Sequence, residues 1–158
     1  MPKITYITSH FAVAGQLTAK DFAQLAAMGI KSVINNRPDD EAGVSVGSDK
    51  AAECAERAGL HYRDAPVTNH AILDTAQVDT FEAALRAVPG PVLAYCRTGN
   101  RSSILWAQVA ARYNTAEATL IALKDAGLDF EFLMPELDQI SRDHGVESLD
   151  NQLADQAA

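Results

Sequence analysis

Residues 94–107, AYCRTGNRSSILWA, place a cysteine at the end of an apolar run and two arginines within the five residues that follow it. The run PVLAY predicts a buried strand, and SSILWA begins a helical pattern. In a strand–loop–helix unit, the N–H groups of a tight loop and the positive end of the helix dipole face the same point. Gly99 would give that loop its backbone freedom. The segment therefore predicts a cradle of positive charge around Cys96.

Such a cradle favours a thiolate over a thiol, and the thiolate is the nucleophilic form of cysteine. Cys96 is therefore the predicted nucleophile, and Arg101 is predicted to stabilise its negative charge. The remaining residues of the loop are predicted to bind an anionic group of the substrate: Arg97, Thr98, Gly99, Asn100 and Ser102. The alternative is a buried structural cysteine in front of an ordinary strand-to-helix loop.

Two other loops carry candidate residues. Arg37 follows the apolar run VINN and could bind an anionic part of the substrate, or it could pair with Asp39, Asp40 or Glu41. His70 lies in the loop TNHAIL and could donate a proton or contact the substrate. The alternative for His70 is a histidine on a surface loop.

Strand-like and helix-like segments alternate along the chain. This alternation predicts an α/β fold with three layers, α/β/α, around a mainly parallel sheet. The ligand site of such a sheet lies at the carboxyl ends of its strands, so the loops NNRPDD, TNH and CRTGNR should converge. We expect a single catalytic domain over residues 1–146. The tail, residues 147–158, has little to bury and is predicted to be disordered.

Several helix boundaries can be predicted from capping residues. Thr18, Ser48 and Asp74 are placed to cap three helices at their N-termini. A helix is predicted over about 102–113, with Ser102 or Ser103 as its cap. Pro135 is expected to break or restart the last helical stretch.

Composition narrows the class of protein. The net charge is −8 and the isoelectric point about 4.8, which argues against nucleic acid or an anionic membrane as the main partner. Two cysteines do not make a disulfide framework, and the N-terminus does not resemble a signal peptide. We therefore expect a cytoplasmic location. Cys54 lies within a predicted helix, where packing explains it better than a role in resolving a persulfide on Cys96.

The quoted motifs resemble two known groups. The spacing C-x4-R before a helix is similar to the active-site loop of rhodaneses. Together, SHFAVAGQLTAKDFAQLAAMGIKSVINNRPDDE and AYCRTGNRSSILWA resemble the phosphatase-like domains of beta-lactamase hydrolase-like proteins (the DUF442 family), over residues 3 to about 135. The resemblance implies a dual-specificity-phosphatase-like fold and an activity discussed both as phosphatase and as sulfur transferase. Some members are fused to a persulfide dioxygenase, whose metal-ligand pattern H-x-H-x-D-H does not occur in this sequence.

Two features depart from the pattern of true cysteine phosphatases. Their signature is C-x5-R, whereas four residues separate Cys96 from Arg101. A shorter ring of N–H donors should suit a sulfane sulfur better than a tetrahedral phosphate. The loop TNHAIL also has no carboxylate where phosphatases carry an aspartic general acid: Asp74 is better explained as a helix cap, and Asp64 lies inside a predicted strand. Sulfite or a thiolate leaves without protonation at oxygen, so both departures favour sulfur transfer.

The sequence therefore predicts a cysteine-dependent sulfur transferase that forms a persulfide on Cys96 from thiosulfate or a small persulfide. One alternative is a tyrosine or dual-specificity phosphatase using the same cysteine, and another is a thiol redox or persulfide sensor. The expected small-molecule partners are an anionic sulfur donor and a thiol acceptor. A persulfide dioxygenase or a sulfide-oxidising enzyme could be a protein partner. No cofactor, metal, nucleic acid or membrane is expected.

Overall fold

The computed structural model describes residues 1–146. They fall into two compact units, Met1–Leu105 and the described part of Trp106–Ala158. All five strands and the cysteine loop belong to the first unit. The single catalytic domain over residues 1–146 stays a prediction, and the tail expected to be disordered, residues 147–158, lies outside the described residues.

Five short strands form one sheet in the first unit, in the order β1-β2-β5-β3-β4. Their bounds are β1 Thr5–Thr8, β2 Phe11–Ala14, β3 Ser32–Asn35, β4 His61–Asp64 and β5 Val92–Tyr95. The β1–β2 pair is antiparallel, and the other three pairs are parallel. The prediction of a mainly parallel sheet is therefore confirmed.

Helices follow the strands along the chain. In the first unit they are α1 Asp21–Ala27, α2 Ser48–Ala58 and α3 Thr75–Ala87, with a short 3₁₀ helix at Asn69–Ala71. Further along come α4 Asn100–Ala111, α5 Ala116–Asp125, a 3₁₀ turn at Glu131–Leu133 and α6 Met134–Asp143.

Helices of the first unit cover both faces of the sheet. Successive strand residues point to opposite faces, so each face has side chains that pack against a helix. One face packs against α1 and α2 in a core of apolar side chains that includes Ala12, Val33, Leu93, Phe22, Leu25, Ala51 and Ala55. On the opposite face, Phe11 of β2 meets Phe81 of α3 edge to face, with ring centroids 6.2 Å apart. These layers confirm the predicted α/β/α fold class.

The parallel strands end level with one another. Ala14 and Asn35 both pair with Tyr95, and Asp64 pairs with Asn35. The segments that follow these residues therefore all leave the sheet at the carboxyl ends of the strands. Cys96 is the first residue beyond β5. The register explains why side chains far apart in the sequence meet around the cysteine.

The second unit is helical over its described residues. The side chain of Thr115 caps α5 by accepting the N–H of Ala118 at 3.1 Å. Pro135 lies in the first turn of α6, directly after the 3₁₀ turn, where its missing N–H costs nothing. The prediction that Pro135 restarts the last helix is confirmed.

Two predicted helix caps are wrong, because the N-cap residues are Lys20 for α1 and Gly47 for α2. The helix α1 begins at Asp21, and the Asp21 carboxylate accepts the N–H of Thr18 at 2.7 Å, so Thr18 is outside the helix. The N-cap of α2 is Gly47, and the N–H of Ser48 is taken by the Asp39 carboxylate at 2.9 Å. In each case the carboxylate accepts the N–H of the predicted cap residue itself, whereas a capping hydroxyl accepts an N–H two or three residues further into the helix.

No helix within residues 1–146 is long and apolar enough to span a membrane. The same described residues contain no cluster of histidine, cysteine, aspartate or glutamate side chains that could hold a metal ion. Both cysteines, Cys54 and Cys96, are free thiols.

Candidate active site

The loop after β5, the central strand, holds Cys96 at the carboxyl end of the sheet. The Cys96 N–H donates to the carbonyl of Ala14 at 3.3 Å, which continues the pairing between β5 and β2 by one residue. The Gln16 N–H donates to the Arg97 carbonyl at 3.2 Å. A Cβ on Gly15 would lie 3.0 Å from the Arg97 carbonyl oxygen, so glycine permits this close approach of the two chain segments.

Gly99 supplies the backbone conformation that the loop needs. Its φ is +94°, in the region that side chains disfavour, and its N–H donates to the Cys96 Sγ at 3.1 Å. A Cβ there would also crowd the carbonyl oxygen of Ala14 at 3.4 Å. Gly99 thus has the left-handed conformation expected of the permissive residue of this loop, and its own N–H points to the sulfur atom.

The helix α4 begins at Asn100, two residues earlier than the predicted start at about 102. Neither serine is placed before its first turn as a cap. The Ser102 hydroxyl donates to the Asn36 side-chain oxygen at 2.8 Å, and the Ser103 hydroxyl donates to the Gly99 carbonyl at 2.8 Å. The helix can start earlier because the loop closes on itself at Gly99, and the predicted cap is wrong.

The Cys96 side chain is almost fully enclosed, with 1% of the residue exposed. Besides the Gly99 N–H, it interacts with the guanidinium of Arg101. Hydrogen bonding to Glu41 is the main reason why the pKa of Arg101 is raised; burial opposes that rise, and Cys96 contributes further to it. Arg101 and the Gly99 N–H thus provide two sources of positive potential at the sulfur atom.

Arg101 is bound in a two-pronged ion pair with Glu41. The Arg101 Nη1 lies 2.5 Å from one Glu41 carboxylate oxygen, and Nη2 lies 2.9 Å from the other. Nη1 also donates to the Val67 carbonyl at 2.8 Å. Residues from two separate loops, Glu41 after β3 and Val67 after β4, therefore fix the guanidinium.

Arg37 braces the loop that carries Glu41. Its Nε donates to Glu41 at 3.1 Å, and its Nη2 donates to the Ala42 carbonyl at 2.6 Å. Its Nη1 donates to the Gln16 side-chain oxygen at 2.9 Å. Arg37 is buried and engaged by the chain itself, in the pairing with Glu41 that the sequence raised as the alternative to substrate binding.

Glu41 remains ionised at neutral pH. The hydrogen bond from Arg101 is the main cause that lowers the pKa of its carboxyl; partial burial opposes it, and Arg37 lowers it further. A carboxyl with a lowered pKa is a poor proton donor near neutral pH.

A pocket of about 300 Å³ opens over this ion pair and is lined by Glu41, Ala42, Asn69, Arg97 and Arg101. Arg97 is exposed, whereas Arg101 is buried. The pocket thus has the exposed cation Arg97 at its rim. The anion Glu41 lies beside the buried Arg101.

Thr98, Asn100 and His70, the remaining predicted site residues, are each next in sequence to a residue that lines the pocket. Thr98 is exposed, and its hydroxyl lies 3.5 Å from the N–H of Asn100. His70 is exposed in the short 3₁₀ helix, where the preceding residue, Asn69, lines the pocket. The substrate contacts of Thr98, Asn100 and His70 stay predictions.

Asp74 and Asp64, the two acidic residues considered as proton donors, are not among the residues that line the pocket. Asp74 is the N-cap residue of α3, as predicted, although its carboxylate makes no capping hydrogen bond. Asp64 ends β4; burial raises the pKa of its carboxyl, and a hydrogen bond with Ser48 at the start of α2 opposes that rise.

Sequence reasoning missed Glu41, Asn69 and Gln16 as residues of the site. Glu41 lies four residues after Arg37, a spacing that suggested only a local ion pair. Asn69 adjoins the histidine that was singled out, and no signal in the sequence distinguishes the two. Gln16 follows Gly15, whose close approach to the cysteine loop is visible only in three dimensions.

Cys54 lies on α2 and is part of the apolar core between that helix and the sheet. The prediction that helix packing explains this cysteine is confirmed. A separate cavity of about 230 Å³ reaches Cys54 between Lys50 and Arg57.

Known proteins share both the sequence and the fold. The phosphatase-like domain of the beta-lactamase hydrolase-like protein family matches residues 3–113. A beta-lactamase hydrolase-like protein of Xylella fastidiosa (strain Temecula1) is 36% identical over 105 residues, which is 66% of this chain and 24% of that protein. A relative from Agrobacterium fabrum is 35% identical over 104 residues, with the same coverage of each chain. This chain thus spans about a quarter of the length of these curated relatives.

Solved structures agree with that match. A candidate phosphatase from Neisseria meningitidis is 33% identical, with a TM-score of 0.75 over 87% of this chain and 97% of that one. Kinase associated phosphatase, solved with its catalytic-site cysteine replaced by serine, shares the fold at 13% identity, with a TM-score of 0.66 over 93% of this chain and 98% of that one. The fold is therefore that of the cysteine-based phosphatases, and the chain belongs to the family of phosphatase-like domains of beta-lactamase hydrolase-like proteins.

Proposed function

We propose that the protein is a cysteine-dependent sulfur transferase in which Cys96 carries the sulfur atom as a persulfide. The observation that supports this most is the state of Glu41, the acid among the residues that line the pocket. Arg101 and Arg37 lower the pKa of Glu41, so it is not protonated at neutral pH. A phosphatase needs a proton donor for its leaving oxygen, whereas a sulfur transferase releases a thiolate or sulfite as an anion.

The proposed reaction has two displacement steps at sulfur. The Cys96 thiolate attacks the terminal sulfur of a donor R–S–SH, an Sγ–S bond forms, and the S–S bond of the donor breaks. RS⁻ leaves, and the proton stays on the transferred sulfur. An acceptor thiolate then attacks the same sulfur, the Sγ–S bond breaks, and Cys96 returns as a thiolate. With thiosulfate as donor, sulfite is the leaving group of the first step.

The residues around the sulfur atom would act through charge and hydrogen bonding. The Gly99 N–H, 3.1 Å from Sγ, and the Arg101 guanidinium would stabilise the thiolate before attack and after release. Arg97, at the exposed rim of the pocket, would hold an anionic part of the donor. The loop of four residues between Cys96 and Arg101 would suit a single sulfur atom.

A cysteine-based phosphatase is the second candidate, and the comparisons give it better support than sulfur transfer. The matching family is described as phosphatase-like, and the Neisseria relative is a candidate phosphatase. In that case Cys96 would attack phosphorus and form a phosphocysteine, which water would hydrolyse. Arg101 would have to release Glu41 in order to hold the phosphate oxygens.

The partners proposed for the sulfur transferase follow from its chemistry. The donor would be a small molecule carrying a sulfane sulfur, and the acceptor a thiolate. A persulfide dioxygenase or a sulfide-oxidising enzyme could supply the donor or consume the product.

Mass spectrometry of the intact protein tests this proposal. After incubation with glutathione persulfide or thiosulfate, we expect a mass gain of one sulfur atom that maps to Cys96 and disappears on reduction. An aryl phosphate should leave the mass unchanged. A phosphoryl adduct on Cys96 without any sulfur adduct would favour the phosphatase instead.

A further inference from the structure

Arg101 already holds an anion, and that anion belongs to the chain. Both oxygens of the Glu41 carboxylate face its two terminal nitrogens, at 2.5 and 2.9 Å. This parallel arrangement is the one by which a guanidinium binds a carboxylate or a phosphate. Glu41 therefore occupies the edge of Arg101 that an incoming oxyanion would use.

The Nη1–Nη2 edge of Arg101 is already filled by groups of the chain itself. A guanidinium has five N–H groups. Glu41 and Val67 take three of them, two on Nη1 and one on Nη2. An oxyanion could therefore not receive two parallel hydrogen bonds from the Nη1–Nη2 edge of Arg101 unless Glu41 withdrew.

Glu41 is held firmly in this position. Arg37 donates to the Glu41 carboxylate and, through its other nitrogens, to the carbonyls of Ala42 and Gly43. The three residues from Glu41 to Gly43 are thus tied to one buried arginine. Withdrawal of the carboxylate would break contacts to two arginines and leave both buried cations with fewer partners.

We propose that Glu41 is a specificity-determining residue, an internal anion that keeps inorganic oxyanions away from Arg101. A phosphate or sulfate ion in the pocket would meet the Glu41 charge and find Arg101 occupied. A sulfane sulfur that carries no charged oxygen would not compete with Glu41 for the Arg101 guanidinium.

If the protein transfers sulfur as proposed above, Glu41 also affects which class of sulfur donor the protein prefers. The sulfonate of thiosulfate is bonded directly to the sulfane sulfur and would lie close to Glu41. An organic persulfide carries its charges several bonds away, where exposed Arg97 can bind them. Glu41 should therefore favour organic persulfides over thiosulfate.

Calorimetric titration with inorganic phosphate tests the exclusion without any catalysis. We expect Glu41→Gln to lower the Kd for phosphate by about tenfold or more, since a like charge beside the ligand is removed. Asp40→Asn, the same charge change on an exposed neighbour, should change it by less than about twofold. Glu41→Ser also removes the charge and repeats the test if Glu41→Gln fails to fold.

The result that overturns the proposal is an unchanged Kd in folded charge-removing variants, or an equal gain in Asp40→Asn. For the donor preference, the ratio of kcat/KM for thiosulfate to that for glutathione persulfide should rise in Glu41→Gln by about tenfold. A ratio that does not rise contradicts the donor preference. If no variant transfers sulfur but Glu41→Gln binds phosphate more tightly, the proposed function fails and the exclusion by Glu41 stands.

Discussion

Replacement of Cys96 by serine is expected to lower the rate of sulfur transfer by about 10⁴-fold or more. A serine hydroxyl does not ionise near neutral pH and cannot carry a sulfur atom as a persulfide. The fold should persist, because a serine oxygen can accept the N–H of Gly99 in place of Sγ, which accepts it at 3.1 Å. Single-turnover transfer from glutathione persulfide and a chemical unfolding curve measure the two properties.

Cys54→Ser is the matched control for this variant, because Cys54 is also a free, buried thiol. Its place in the core next to α2 predicts some loss of stability. Transfer per folded molecule should stay within about twofold of the parent protein. Full transfer by Cys96→Ser, or the loss of transfer in folded Cys54→Ser, would contradict the assignment of Cys96 as the nucleophile.

Replacement of Arg101 by alanine is expected to lower kcat/KM for sulfur transfer by about 10²–10³-fold. The variant removes the buried cation beside Cys96 and leaves Glu41 with Arg37 alone. Alkylation of Cys96 by iodoacetamide should be slower than in the parent protein, because the cation beside the sulfur atom is lost. Steady-state kinetics and this alkylation rate are the measurements.

Two variants show whether the geometry of Arg101 matters beyond its charge. Arg101→Lys keeps a positive charge but cannot reach both Glu41 oxygens and the Val67 carbonyl together, so it should recover only part of the activity. Arg63→Ala removes an exposed arginine of β4 and should have little effect. Arg101→Ala with kinetics like those of Arg63→Ala would remove Arg101 from the mechanism.

The local parts of the site could be predicted from the sequence. The apolar run before Cys96 and Gly99 within the loop are neighbours along the chain, so their spacing determines the strand end, the turn and the inward-facing N–H group. Helix packing around Cys54 follows in the same way from its place in a helical pattern. Short-range geometry of this kind leaves few alternatives.

The contacts between loops could not be predicted in the same way. Glu41 and Arg101 are 60 residues apart, and their meeting depends on the register that brings the ends of β3 and β5 level. The sequence offered Asp39, Asp40 and Glu41 as equivalent partners for Arg37. Only the fold distinguishes them: Asp39 binds the start of α2, and Glu41 turns towards the cysteine loop.

The helix starts show a related limit. Hydroxyl residues at positions 18 and 48 have the right type for a cap, but the N-cap residues are Lys20 and Gly47. The carboxylates of Asp21 and Asp39 accept the N–H groups of Thr18 and Ser48 and so hold the chain where it enters each helix. Which acid reaches which N–H depends on the path of the loop, which the local sequence does not specify.

The most direct test of the proposed function is the comparison of kcat/KM for glutathione persulfide and for a phosphotyrosine peptide in the parent protein. A phosphotyrosine leaving group needs a proton donor, and the loss of one costs about 10²–10⁴-fold in rate. Because Glu41 is held ionised by Arg101 and Arg37, we expect the persulfide value to exceed the phosphopeptide value by at least about 10²-fold. A phosphopeptide value above the persulfide value would contradict sulfur transfer and establish the phosphatase in its place.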